Sequence, residues 1–158
     1  PDDIRRTAKL WNARISCNQG LHNTVMADLE ELVSFGGSAG AEAQYLRAEH
    51  AYNTQAFDQC EVLLFELIET FYQQETWRNR GFLLLVSTYI GLNDFFQARA
   101  TAKSILTNVQ APDVQEAVSD LLLEIDALEE AQNAPPSTSD DEGVDDVNPN
   151  QEPESQDE

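Results

Sequence analysis

Basic residues are scarce in this chain: nine Lys and Arg stand against 29 Asp and Glu, a formal net charge of −20 over 158 residues. Nucleic acid, with about one charge per 1.7 Å of duplex, is repelled by such a surface, and so are anionic membranes. Basic protein surfaces are the partners its long-range field favours. Long apolar runs are absent too. Nothing approaches the roughly 18–20 residues of a membrane helix, and no charged-then-apolar start marks a signal peptide. The expectation is a soluble piece without direct membrane insertion. Cysteine is limited to Cys17 and Cys60, too few for a disulfide framework, and both read as unpaired fillers at small positions of helices.

Catalytic constellations are missing as well. His22 and His50 are single histidines in helical context, read as surface or packing residues rather than general bases. No HExxH, CxxC, phosphate loop or nucleophile elbow occurs. Gly36-Gly37-Ser38-Ala39-Gly40 lacks the following Lys-Ser/Thr and the preceding strand of a phosphate loop, and reads as a turn. The acids Asp140, Asp141, Glu142, Asp145 and Asp146 do not follow the alternating order of a calcium loop, so at most weak, nonspecific divalent binding is expected there. No enzyme, cofactor or specific metal is expected.

What is present is helical periodicity. Tyr45, Ala48 and Ala51 fall at helical spacing, the pattern breaks at Asn53-Thr54-Gln55, and Phe57, Cys60, Leu64 and Leu67 resume it. Two antiparallel helices about 8–10 Å apart leave room only for small side chains at closest approach, which suits Ala48 and Cys60. The pattern repeats. An offset of 38 (Phe57 to Phe95) carries the set onto Leu83, Val86, Tyr89, Phe95, Ala98, Ala102 and Ile105; an offset of 35 (His22 to Phe57) relates it to a weaker copy at Leu10, Ala13, Ser16, His22, Val25, Leu29 and Leu32.

With a period near 34, small residues at the close approach and an aromatic opening the second helix, the chain resembles a tetratricopeptide repeat (TPR) protein over most of Asp3–Ala131. The segment Asp94-Phe95-Phe96-Gln97-Ala98-Arg99-Ala100, with Trp77 upstream, is similar to the C-terminal repeats of large envelope TPR proteins of Bacteroidota, which implies a periplasmic or cell-envelope location. The resemblance implies an all-α helical-hairpin solenoid with a C-terminal capping helix: hairpins at about 3–34, 39–72 and 76–109, then a cap at 113–131. The start at Pro1 rather than Met suggests a processed or excised fragment of a larger parent chain.

In chain order, Asp2 or Asp3 is expected to cap the first helix, whose apolar side is Ile4, Ala8, Trp11 and Ile15, with Asn18-Gln19-Gly20 ending it. Asn23 should cap the second helix and Gly36-Gly37 stop it; the next helix should start at Ser38 or Gly40. Thr76 is expected to cap the helix through Trp77, and Asp94 with Gln97 to form a reciprocal cap. Asp113 with Glu116 repeats that signature before a last helix whose outer side is Gln115, Glu116, Ser119, Asp120, Asp126 and Glu129. Residues 132–158 hold nine acids and four prolines and only Ala134, Val144 and Val147 as apolar residues, so a disordered acidic tail is expected. Nine acids in the tail leave −11 for the helical part, nine basic residues against 20 acidic.

The resemblance further implies a protein-interaction scaffold in which the first helix of each hairpin lines a groove for a peptide or partner helix. Carried onto this sequence, the lining positions are Leu10 and Arg14, then Tyr45, Glu49 and Tyr52, then Arg80, Leu83 and Ser87. Tyrosines offer large contact area with a polar tip, although Tyr45 and Tyr52 could equally pack between repeats. Arg80 could instead pair with Glu75 or lie over Trp77. Glu49 opposes the carboxylate clamp by which some TPR domains hold chaperone C-termini. The alternative function is structural: packing on the remainder of a larger chain, or self-association.

Overall fold

The computed structural model describes residues 2–21 and 24–134, and every regular element among them is helical. Seven helices follow one another: α1 (Asp2–Asn18), α2 (Met26–Phe35), α3 (Gly37–Asn53), α4 (Phe57–Thr70), α5 (Glu75–Gly91), α6 (Phe95–Asn108) and α7 (Pro112–Asn133). Each packs on its successor, and α1, α3, α5 and α7 also touch in series. The odd-numbered helices therefore form a continuous layer. The all-α expectation holds; Asn23 and residues 135–158 of the acidic tail lie outside the described residues, and α7 continues through residues 132 and 133, which were assigned to the tail.

The offsets of 35 and 38 read in the sequence reappear in the turns. After α3, the Ala56 amide donates to Ala51 O and Gln55 N to Tyr52 O, with Gln55 at φ 60°. After α5, Asp94 N donates to Tyr89 O and Asn93 N to Ile90 O, with Asn93 at φ 57°. After α1, Leu21 N donates to Ser16 O and Gly20 N to Cys17 O, with Gly20 at φ 74°. This paired closure satisfies carbonyls that a helix end leaves open, at the cost of one left-handed residue.

Helix starts depart from the expected caps. Asp2 and Asp3 are already helical, and Asp3 faces Arg6 at 3.5 Å from within the first turn. Glu75, not Thr76, opens α5, and Pro112, not Asp113, opens α7. Proline has no amide to lose at the first helical position, and an acid in the first turn complements the helix dipole without capping it. Asp94 does cap α6, accepting from Gln97 N at 3.0 Å. The reciprocal half is absent because the Asp94 amide is already bonded to Tyr89 O. Gly36, at φ 74°, ends α2 as expected, but α3 begins at once, at Gly37.

The main core runs through α3–α7. Ala48, Cys60, Ala98 and Ala102 are fully buried at the helix crossings, with Leu64, Leu67 and Val86 between them. Full burial of each such large aliphatic side chain stabilises by about 1.5–3 kcal/mol. Both thiols are free and buried, and Cys60 Sγ lies 3.3 Å from Thr88 Oγ1. A Cβ at Gly91 would sit 2.5 Å from the Phe57 ring, so the end of α5 rests directly on the start of α4.

A second cluster holds the N-terminal helices: Ala13 and Cys17 of α1 against Val25, Leu29, Leu32, Ala43 and Leu46. The expected apolar side of α1 is not the buried one. Ile4, Trp11 and Ile15 are 76%, 57% and 52% exposed, because α1 meets α2 and α3 through Leu10, Ala13 and Cys17. On α7, Val114, Val118 and Ile125 are buried, whereas Leu128 is exposed. Three residues expected on its outer side face α6 instead. Gln115 Nε2 donates to Leu106 O and Val109 O, closing the end of α6, while Asp126 and Glu129 pair with Arg99.

Candidate functional site

Two adjoining cavities open along the odd-numbered layer. The first, of about 430 Å3, lies between α1, α3 and α5 and is lined by Arg14, Asn18, Glu42, Tyr45, Leu46, Glu49, Trp77 and Arg80. The second, of about 310 Å3, continues it towards α7 and is lined by Tyr45, Glu49, Arg80, Leu83, Leu84, Ser87 and Leu121. Tyr45, Glu49 and Arg80 belong to both. Helical spacing explains the alignment, since residues three and four apart share a face: 42, 45, 46 and 49 on α3, and 77, 80, 84 and 87 on α5.

Six of the eight expected lining residues thus come together: Arg14, Tyr45, Glu49, Arg80, Leu83 and Ser87. Tyr52 lines neither cavity; its ring meets Phe57 edge-on at 5.6 Å, and burial, with Glu124 nearby, raises its pKa. Leu10 lines a third cavity with Arg6, Trp11 and Phe35, which shares Arg14 with the first. The sequence reasoning passed over Glu42 and Trp77. Glu42 could have been reached from the internal register, because the offset of 38 carries it onto Arg80, and Trp77 lies three residues before Arg80 on the same face of α5.

The charges in this trough are unequal in their surroundings. Arg14 embraces Glu42 with two bonds, from Nε and from Nη2, the latter 2.6 Å to Oε2, and the Glu42 side chain is only 7% exposed. The carboxylate raises the pKa of Arg14. The same guanidinium lies 5.0 Å from the Trp11 ring, so Arg14 ties the exposed side of α1 to the trough. Arg80 lies over Trp77 at 4.8 Å, not against Glu75, and the opposing Tyr45 ring is 5.5 Å from Trp77. Glu49 and Arg80 have no ion-pair partner among the described residues.

Burial pushes the Tyr45 phenol up to about 12, Glu49 adds to the shift, and Arg80 opposes it. The hydroxyl therefore remains a hydrogen-bond donor throughout the neutral range. Cys17, in the N-terminal core on α1, is likewise raised by burial and by Glu49. One carboxylate therefore acts on groups of two helices. Chemically the trough offers an aromatic pair, apolar walls from Leu46, Leu83, Leu84 and Leu121, one neutralised ion pair and two unneutralised charges of opposite sign.

A larger cavity of about 680 Å3 lies elsewhere, between α4 and α6 with Phe82, Leu85 and Tyr89 of α5 between them. Its lining carries no charged side chain. Among the described residues no three His, Cys, Asp or Glu are grouped as metal ligands, and no helix is long and apolar enough to cross a membrane. The chain matches no known protein family, no characterised protein and no solved structure.

Proposed function

We propose that the chain is a TPR-type solenoid whose odd-numbered helices hold a peptide or a partner helix, and that it acts as a non-catalytic protein-interaction scaffold. The observation that carries this reading is the trough itself: Arg14, Tyr45, Glu49, Arg80, Leu83 and Ser87 come from three helices and line one continuous depression. The repeated turn closure supports the solenoid, because stacked equivalent hairpins must end alike. Tyr45 and Trp77 supply rigid, amphipathic area of the kind that dominates binding energy.

The test is capture from source extract by the chain and by an Arg80→Glu/Ser87→Trp variant with an unchanged circular dichroism spectrum. Partners lost with the variant place binding in the trough. An identical partner list refutes the reading.

A structural role is the second reading, favoured by the exposed Ile4, Trp11 and Ile15 of α1. An apolar stripe on one helix is suited to packing on a neighbouring helix, from a longer parent chain or from a second copy. Self-association through it predicts a sedimentation mass that rises with concentration and falls back with Trp11→Glu. A constant monomer mass refutes self-association.

A further inference from the structure

Of the four charged side chains lining the first cavity, two are already matched: Arg14 and Glu42 satisfy each other through two bonds. Glu49 and Arg80 are left, one on α3 and one on α5, and both line both cavities. They do not pair with each other, nor with any other described residue. Glu49 is half-buried and has lost part of its hydration without gaining a cation. The Arg80 guanidinium carbon lies 4.8 Å from the centre of the Trp77 ring, and its N–H groups make no ion pair with a described residue, so they remain able to donate. Tyr45 lies in the field of both, raised by Glu49 and lowered by Arg80.

Such a site discriminates by charge order. A ligand of one sign is attracted by one of these groups and repelled by the other, and like charges brought together oppose binding. A ligand with both signs satisfies both. We propose that the trough selects a peptide segment bearing one basic and one acidic side chain, the base directed to Glu49 and the acid to Arg80, with Tyr45 between. This inference rests on the trough being the binding surface, and it adds the chemistry of the ligand and its direction along the trough. The net charge of −20 draws basic segments in at long range; Arg80 then fixes which of them seat.

Selection of displayed random short peptides on the full chain tests it, beside Glu49→Gln and Arg80→Gln variants and a Ser87→Trp variant that fills the trough. The expected wild-type peptides pair Lys or Arg with Asp or Glu at a constant spacing. Glu49→Gln should abolish the basic preference and keep the acidic one, and Arg80→Gln the reverse. Either change should weaken a selected peptide about tenfold in fluorescence anisotropy. Peptides that Ser87→Trp displaces but that carry no charge pairing overturn this inference and leave the trough as the binding surface. Peptides indifferent to Ser87→Trp, or no peptides at all, overturn both.

Discussion

The Arg14–Glu42 pair makes a quantitative prediction, because its two members are unequally buried. The Glu42 side chain is 7% exposed and that of Arg14 is 38% exposed. Removing Arg14 leaves a carboxylate with little access to water; removing Glu42 leaves a guanidinium with much more. Stranding a fully buried charge costs about 3–5 kcal/mol, and the partial exposure of Arg14 lowers the expectation for Arg14→Met to about 2–3 kcal/mol. Glu42→Leu should cost only about 1 kcal/mol. The double change, which replaces the pair by apolar groups of similar size, should cost less than Arg14→Met alone. Because α1 packs mainly on α2 and α3, its detachment is a local event, and native-state hydrogen exchange of the α1 amides is the appropriate assay. Arg14→Met should speed exchange over residues 10–17 by a factor of roughly 30–150, the equivalent of 2–3 kcal/mol at about 1.4 kcal/mol per decade. Equal effects of the two single changes, or a double change that costs their sum, would refute the account.

Three further outcomes follow from the same geometry. Gly91→Ala should destabilise by about 1–3 kcal/mol, because its Cβ would meet the Phe57 ring at 2.5 Å; an unchanged melting temperature would show that the ring swings aside freely. Gln55→Gly should stabilise by about 0.5–1 kcal/mol, since it frees a residue held at φ 60°, and a lowered urea midpoint would contradict this. In an ultraviolet titration Tyr45 and Tyr89 should ionise near 12, two units above the ordinary 10.0. Both are held neutral in the fold, so their contribution is intact below pH 10 and is lost as pH rises from 10 towards 12. Tyr45→Phe should remove one late-titrating group; an unchanged late phase would mean that Tyr45 titrates normally.

The central helices were legible because their signals were local and consistent. Phe57 and Phe95 open α4 and α6 as read, and Asp94 caps α6 from a position where few other roles are open to it. The face of α1 was misread for a physical reason. Ile4, Ala8, Trp11 and Ile15 have the spacing of a buried stripe, but periodicity states which residues share a face and not whether a neighbour lies against it. The starts of α5 and α7 were misplaced because a polar residue in the first turn looks the same in sequence whether it caps the helix or lies inside it. Glu42 escaped notice because an acid among 20 in the helical part reads as a solvated charge. Only the fold brings it beside Arg14, 28 residues earlier, and makes it a buried half of an ion pair.

The serial packing of the helices has a bearing on time. Every substantial interhelical contact joins a helix to the next or to the next but one. No segment therefore has to wait for a distant part of the chain before it can bury its apolar side, and loop-closure costs stay small at each step. A ribosome that has released α3, α4 and α5 has already released every residue needed to bury Cys60, Leu64 and Leu67. The later helices then add to a surface that exists, and the trough deepens in the order in which the chain is made.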